Sequence, residues 1–300
     1  LGANPKGFRT VTMIEGHLRP LGLSFQGARF LDLGSGTGGA LVGALRAGAS
    51  YCEGWEINQE KLALSAINVH SRGADGEGVV VRNQSVEACE ELGDGFVPFD
   101  IVFCEEVLEH VKDLPGAITT LARCIDPEKG VGYVTMPNGF ALESVMADPH
   151  LQLFGITLLD RFEAQPMATA LKNHTHYAKM MGAYCHYEDY VAQFGAVGLT
   201  LMPLVEPETT GASFEKMSGD LEAIETRRRG LGEQWGDVLE GETLTLLDRR
   251  LETYVTKAQA RLEAAQVRVA TEEEKRAVAR DYGQGHFSFL VRHCANKTHR

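Results

Sequence analysis

The sequence predicts an α/β protein built on a parallel sheet with helices on both faces. Short apolar stretches and helical stretches alternate from residue 30 to residue 138, which is typical of that fold class. Within this region, residues 30–39 form an apolar strand that runs through an acidic residue into a glycine-rich turn and then a helix start. Such a turn brings bare backbone to the end of a strand, where a nucleotide-like ligand can approach it.

Each element is predicted from its own pattern of apolar and polar residues. The predicted helices cover residues 5–20 (with a loop, at the edge of the ligand site), 38–47, 58–71, 114–124 and 187–196. The predicted strands cover residues 30–33, 51–58, 79–81 (as a short central strand), 199–205 and 286–293.

Two segments interrupt this alternation. Residues 139–186 are rich in histidine and aromatic residues, and we expect them to lie on the substrate side. Residues 207–283 are strongly helical, with a capping box at residues 271–274. An apolar stripe with steps of three and four runs through Leu244, Leu247, Leu251, Tyr254, Ala258, Leu262, Ala265 and Val269. Core thickening, an active-site lid and a dimer interface are the alternatives for this stripe, and the last two are favoured equally.

The glycine spacing alone leaves two ligands open. Residues 34–39 fit both a dinucleotide pattern ending at Gly39 and a G-x-G-x-G pattern ending at Gly38. Asp32 lies two positions before the first glycine, where its charge would repel a pyrophosphate. The same carboxylate suits a cationic ligand such as S-adenosylmethionine, which carries a sulfonium and an ammonium group.

A second acidic residue supports a nucleoside ligand. Glu56 ends the next predicted strand, 22 residues after Gly34. A carboxylate at that spacing can accept hydrogen bonds from both ribose hydroxyls. The alternative is a solvated acid at a strand end.

Three motifs in order then resemble class I S-adenosylmethionine-dependent methyltransferases. Residues 30–39 resemble motif I of that family, and Glu56 matches its ribose-binding acid. Residues 99–111 resemble its fourth strand and following helix, and their Val-Leu-Glu-His-Val run is typical of the ubiquinone-biosynthesis-like branch. Residues 132–138 resemble its fifth strand. The resemblance covers about residues 8–138, with a looser continuation to 205.

The resemblance implies a Rossmann-like, doubly wound, seven-stranded sheet with its last strand antiparallel. Residues 1–206 and 284–300 would form the cofactor-binding domain, and residues 139–186 its substrate-side insert. The family joins its last two strands by a hairpin turn. Here residues 207–283 replace that turn, so we expect a large helical insertion that serves as a lid or in oligomerisation.

The resemblance also implies the cofactor and the residues that hold it. The expected cofactor is S-adenosyl-L-methionine, with Glu56 on the ribose and Ile57 on the adenine face. Many relatives carry an acid at the position of Ser85. The full expected set is Asp32, Gly34, Ser35, Gly36, Gly38, Glu56, Ile57, Ser85, Val86, Cys104 and Glu105.

Four histidines are candidates for a catalytic base, because a neutral imidazole accepts an O–H or N–H proton near neutral pH. His110 belongs to the family motif, where a structural role is favoured over a catalytic one. His150, His174 and His176 lie in the substrate-side insert. His174 and His176 could also form half of a metal site with Cys185 or His186, but we predict no metal.

Composition narrows the function classes. The net charge of −12 disfavours a nucleic-acid partner and an anionic membrane. No apolar run approaches the roughly 18 residues that cross a bilayer, and the six cysteines include no C-x-x-C pair. The resemblance implies an enzyme that methylates an O or N atom of a small molecule such as a sugar or secondary metabolite. We expect it to be cytoplasmic and to form a homodimer through the insertion. The alternatives are a protein or RNA methyltransferase, a non-catalytic assembly partner with the same fold, and a dinucleotide oxidoreductase.

Overall fold

The structure is a computed structural model that describes residues 5–72, 78–88, 92–93, 95–267 and 269–294. These residues fall into two compact units. The first unit comprises the described residues within Leu1–Thr135, Val191–Met202 and Ser288–Arg300. The second comprises those within Met136–Tyr190 and Pro203–Phe287.

The regular elements follow the predicted alternation closely. The strands are β1 Arg29–Leu33, β2 Tyr51–Trp55, β3 Val79–Arg82, β4 Ile101–Glu105, β5 Val131–Pro137, β6 Leu199–Pro203 and β7 His286–His293. The helices are α1 Pro5–Leu18, α2 Gly39–Arg46, α3 Gln59–Arg72, α4 Leu114–Cys124, α5 Leu142–Met146, α6 Arg161–Lys172, α7 Tyr177–Met180, α8 Tyr187–Ala196, α9 Gly211–Arg229, α10 Leu231–Trp235, α11 Gly241–Gln266 and α12 Glu272–Val278.

The seven strands form one sheet in the order β3-β2-β1-β4-β5-β7-β6. The first five strands pair in parallel, with Asp32 opposite Gly54 on one side and Phe103 on the other. The last strand runs antiparallel: Cys294, after β7, bonds to the carbonyl of Gly198, before β6, at 2.8 Å. The predicted Rossmann-like sheet with an antiparallel last strand is confirmed.

One strand was placed wrongly. Residues 79–81 are not a central strand, because among the described strands β3 pairs with β2 alone and so forms the edge of the sheet. Its residues are correspondingly half-buried, whereas β1 and β4 are buried along nearly their whole length.

The first unit holds the glycine turn between β1 and α2 against a helix and an aromatic core. Phe30 of β1 and Phe103 of β4 meet edge to face at 5.0 Å between ring centroids. Gly7 of α1 lies so close to α2 that a Cβ there would stand 2.6 Å from the nitrogen of Ala40. The tight α1–α2 contact therefore fixes the start of the helix that follows the turn.

The second unit buries the apolar stripe of α11 in its own core. Leu247 and Leu251 are fully buried, in one cluster with Phe214, Leu221 and other residues of α9. Val269 is an exception, 87% exposed. The stripe therefore contributes to the core of this unit. A role of residues 207–283 as a lid or in oligomerisation stays a prediction.

Most of the described insertion is helical, with short turns between its helices, and its capping box is confirmed. The Thr271 hydroxyl accepts the Glu274 N–H, and the Glu274 carboxylate accepts the Thr271 N–H. Within the described residues, no helix has both the length and the apolarity needed to cross a membrane. Cys89 lies outside the described residues.

Candidate functional site

The turn between β1 and α2 needs its glycines for two different reasons. Gly34, Gly36 and Gly38 all have positive φ, at 72°, 54° and 79°. A Cβ at Gly34 would stand 2.5 Å from the side chain of Val107, so this position is also closed by packing. A Cβ at Gly36 would meet nothing nearer than a carbonyl oxygen at 4.0 Å. Gly36 therefore presents bare backbone to open space, where a ligand can approach it.

Neighbouring segments hold the turn in this shape. The Ser35 N–H donates to the carbonyl of Trp55, at the end of β2, at 2.9 Å. The Asn68 side-chain amide, on α3, donates to the Thr37 carbonyl at 2.9 Å. Asn68 itself is buried, 8% exposed. The turn is thereby bonded both to the end of β2 and to α3.

Glu56 connects the turn to the predicted ribose position. It is buried, and its carboxylate accepts the Gly36 N–H at 2.9 Å and the Asn58 N–H at 2.8 Å. Each carboxylate oxygen can accept a second bond, so the group can still receive two hydroxyls. Ile57 is 67% exposed. Asn83 supports this strand end by donating to the Glu56 carbonyl at 3.1 Å.

The buried carboxyl group of Asp32 has a strongly raised pKa. Its side chain is buried, 6% exposed, at the penultimate position of β1. Burial raises the pKa of Asp32 well above its ordinary value, and the negative charges of Glu105 and Glu56 raise it further. Three carboxylates from three strand ends thus share one region, and a bound cation there would offset their mutual repulsion.

Burial, together with the negative charge of Asp32, also raises the pKa values of two cysteine thiols. Burial and the Asp32 charge raise the pKa of Cys52 to about 12. Burial, followed by Glu109 and Asp32, raises the pKa of Cys104 well above its ordinary value. Cys104 is fully buried inside β4 rather than following it, so this position can reach a ligand only through its backbone.

The predicted adenine-side segment is connected to the start of α4. The Ser85 hydroxyl accepts the Glu87 N–H at 3.1 Å, and Val86 is buried. The Glu87 carboxylate in turn accepts the backbone N–H groups of Lys112 and Asp113, at 2.7 and 2.6 Å. Ser85 is thus engaged in shaping its own loop.

The donors and acceptors of the turn discriminate between the two candidate ligands. A pyrophosphate needs unoccupied backbone N–H groups and no nearby negative charge. Here the N–H groups of Ser35 and Gly36 are already bonded within the protein, and three carboxylates stand beside the turn. A cationic nucleoside fits these residues, whereas a dinucleotide does not.

The four histidines that are candidate bases have different surroundings. One lies in the first unit and three lie in the second. In the first unit, His110 is half-buried, with Nε2 3.8 Å from the buried Glu109 carboxylate. In the second, His176 is exposed, and His174 stands edge-on to Tyr177 at 6.3 Å between ring centroids. The backbone N–H of His150 donates to the buried Asp148 carboxylate at 3.0 Å. The role of each histidine stays a prediction.

The metal half-site considered from the sequence does not assemble. Among the described residues, His174 and His176 do not converge with Cys185 or His186 on a common point. His186 instead stacks on Phe140, with 4.0 Å between ring centroids.

Sequence reasoning missed the residues that position the site. Asn68, Asn83 and Val107 act through contacts with distant segments, and nothing in their local pattern signals this. Val107 lies within the 99–111 motif, but the motif does not indicate its contact with Gly34.

Comparison with known proteins agrees with this geometry. A family model described as a methyltransferase domain matches residues 7–199. The ubiquinone biosynthesis O-methyltransferase of Alkalilimnicola ehrlichii is 36% identical over 132 residues, which is 43% of this chain and 51% of that protein. The protein of the same name from Dechloromonas aromatica is 30% identical over 134 residues, 44% of this chain and 55% of its own.

The chain thus spans about half the length of the curated relatives that it matches. Among solved structures, the magnesium protoporphyrin IX methyltransferase of Synechocystis PCC 6803, with bound S-adenosylhomocysteine, aligns with a TM-score of 0.43 at 19% identity. That alignment covers 65% of this chain and 74% of that one.

Proposed function

Because the chain belongs to the methyltransferase-domain family, we propose that it transfers a methyl group from S-adenosylmethionine to an oxygen or nitrogen atom of a small molecule. The family match spans residues 7–199, well over half of the 300 residues. It confirms the class I methyltransferase resemblance and S-adenosylmethionine as the cofactor of this family.

The observation that carries the proposal is the buried Asp32 beside Glu105 and Glu56. In the absence of a cation this arrangement is unfavourable, as the raised pKa of Asp32 indicates. A group that costs stability in a folded protein is typical of a site shaped for a ligand. The ligand that suits three carboxylates and an open glycine turn is a cationic nucleoside.

The roles of the cofactor-side residues follow from their surroundings. S-adenosylmethionine supplies an activated methyl group on a sulfonium centre. Glu56 would accept the ribose hydroxyls while it keeps the Gly36 N–H in place. Ile57, which is exposed, would cover the adenine, and Asp32 with Glu105 would face the positive charges.

The acceptor is proposed only as a class. The relatives named above are O-methyltransferases, which favours an oxygen nucleophile such as the hydroxyl of a phenol, a sugar or another secondary metabolite. The net charge of −12 weighs against RNA, and no specific observation favours a protein substrate. A cytoplasmic location and a homodimer stay predictions.

A proton must leave the acceptor when its oxygen or nitrogen is methylated. We keep His110, His150, His174 and His176 as the candidates for accepting it. Replacing each with glutamine separates the roles: loss of the base lowers kcat at saturating cofactor, whereas loss of a purely structural imidazole lowers thermal stability.

Transfer of label from methyl-labelled S-adenosylmethionine tests the proposal. The protein would be incubated with separate sets of phenols, sugars, amines, peptides and RNA, with Asp32→Asn as the matched low-affinity control. We expect label on a small hydroxylated or amino compound and much less with the variant. Label only on RNA or peptide would favour the alternative enzyme classes, and cofactor binding without transfer to any set would favour a non-catalytic assembly role.

A further inference from the structure

The residue directly after β4 has an unusual backbone. Glu106 has a φ of 57°, in the left-handed region that glycine prefers. Among the described residues only Gln152 and Asn173 share this feature without being glycine, and Asn173 is the C-cap of α6, a common place for it. Glutamate has no such reason, so neighbouring groups must hold it there.

Thr135 of β5 holds Glu106 at two points. The Glu106 N–H donates to the Thr135 carbonyl at 3.1 Å, and the Thr135 hydroxyl donates to the Glu106 carboxylate at 3.0 Å. Thr135 is 5% exposed, whereas Glu106 is half-buried. Its position is fixed by the sheet, in which it pairs with Glu105. The conformation of Glu106 thus depends on a strand neighbour rather than on its own sequence.

The backbone bends sharply at Glu106, and the residues on both sides of it, Glu105 and Val107, act on the glycine turn and on Asp32 before it. On one side, the side chain of Val107 closes over Gly34, 2.5 Å from where a Cβ would stand. On the other side, Glu105 ends β4 close enough for its charge to act on Asp32. A change in the Glu106 backbone would therefore move both contacts at once.

We propose that Thr135 is a positioning residue whose hydroxyl latches Glu106 in its left-handed conformation and so shapes the segment after β4 for cofactor binding. This inference rests on the proposed S-adenosylmethionine site. Thr135 itself need not touch the cofactor, because it acts through Glu106.

Isothermal calorimetry with S-adenosylhomocysteine tests the latch. We expect Thr135→Val to weaken binding about tenfold, since it removes one charge-assisted hydrogen bond at constant volume. Thr135→Ser, which keeps the hydroxyl, restores affinity to within about twofold. The matched control is Thr120→Val, because Thr120 is also buried in the first unit and its hydroxyl bonds to the Gly116 carbonyl within α4. Equal affinity for Thr135→Val and Thr120→Val would overturn the proposal.

A pair of substitutions at Glu106 isolates the backbone. Glu106→Gly and Glu106→Ala both lose the carboxylate, but only glycine adopts a φ of 57° without strain. We expect the glycine variant to bind more tightly and to melt at a higher temperature than the alanine variant. If both variants bind and melt alike, the carboxylate acts by direct contact and the latch is refuted.

Melting temperatures keep this inference separate from the proposed function. If the wild-type protein does not bind S-adenosylhomocysteine, the proposed function fails. The order of melting temperatures, with glycine above alanine at position 106, would still support the latch, and the reverse order would overturn it.

Discussion

Replacement of Asp32 by asparagine is the most informative single perturbation of the site. Asparagine has the same shape and can still accept a hydrogen bond, but it carries no charge. In the wild-type protein Asp32 is 6% exposed, and its charge is opposed by Glu105 and Glu56. The substitution therefore removes both the repulsion among the three carboxylates and the attraction to a bound cation.

The size of the effect follows from the burial of the side chain. At an effective dielectric constant of about 20, a unit charge about 6 Å from the carboxylate is stabilised by about 3 kcal/mol. That energy corresponds to about a 100-fold change in Kd. S-adenosylhomocysteine lacks the sulfonium charge, so its affinity should fall by a smaller factor. The variant should therefore lose much of its preference for S-adenosylmethionine.

The pH dependence has a definite sign. The pKa of Asp32 is raised in the protein without ligand and would be lowered by a bound cation, so binding releases a proton between those two values. Affinity for S-adenosylmethionine should rise with pH through that interval and become constant above it. In the Asp32→Asn variant this rise should disappear.

The folding stability of the ligand-free protein should change with pH in the direction opposite to the affinity. Because its pKa is raised on folding, Asp32 contributes stability that is fully present below its unfolded pKa and is lost as pH rises through its folded pKa. At neutral pH, Asp32→Asn should therefore raise the melting temperature of the protein without ligand.

Calorimetry of both ligands between about pH 5 and 9, combined with thermal melts, measures all of these effects. Asp100→Asn is the matched control, because Asp100 precedes β4, at the end of this strand opposite to the site, and its carboxylate accepts the Arg29 N–H at 2.8 Å. An Asp32→Asn variant with unchanged affinity for S-adenosylmethionine and an unchanged pH profile would refute the electrostatic reasoning.

Four further outcomes are expected. Gly34→Ala should destabilise the protein by about 1–3 kcal/mol in urea unfolding, because φ is 72° and the new Cβ would stand 2.5 Å from Val107; a neutral result would show that the turn can shift. Glu56→Ala should weaken S-adenosylhomocysteine binding at least about tenfold by calorimetry, because it removes a predicted ribose acceptor and leaves two backbone N–H groups without their partner. Glu56→Gln should lose less affinity than Glu56→Ala, and an equal loss of affinity in both variants would contradict this role. Leu251→Ala should lower the unfolding free energy by about 2–5 kcal/mol, since Leu251 is fully buried, and a loss below about 1 kcal/mol would contradict that burial. With a pKa of about 12, the Cys52 thiol should resist a thiol reagent at pH 8 until the protein is unfolded, so rapid labelling of the native protein would be inconsistent with its burial.

The elements with strong local signals could be predicted from the sequence. Helices α4 and α8 and strand β7 have the bounds that their periodicity and end residues indicated. The position of β3 in the sheet could not be predicted, because three consecutive valines suit an edge strand and a central strand equally well. Strand order depends on long-range connections that no window of sequence contains.

The residues that pack against the α11 stripe could not be predicted from the local sequence either. Its period shows that one face is apolar, but a heptad-like face packs equally well on its own chain or on a second copy. In the structure Leu247, Leu251 and Leu262 are buried within the second unit. Composition alone did not reveal that α9 supplies the facing residues.

The residues of the candidate site fall into the same two groups, those that the local sequence indicates and those that it does not. The glycines, Asp32 and Glu56 stand in short motifs, so their chemistry could be inferred from residue type, spacing and the family resemblance. Asn68 and Thr135 act from other elements, through side-chain hydrogen bonds to Thr37 and Glu106. Such contacts depend on tertiary structure, and many other asparagines and threonines in the chain look no different in sequence.

Calorimetric titration of the wild-type protein with S-adenosylmethionine, S-adenosylhomocysteine and NADH tests the central claim most directly. We predict saturable one-site binding of both adenosyl ligands, with affinity for S-adenosylmethionine that rises with pH, and no binding of NADH. Binding of NADH without binding of either adenosyl ligand would contradict the assignment of the glycine turn, Asp32 and Glu56 to a cationic nucleoside.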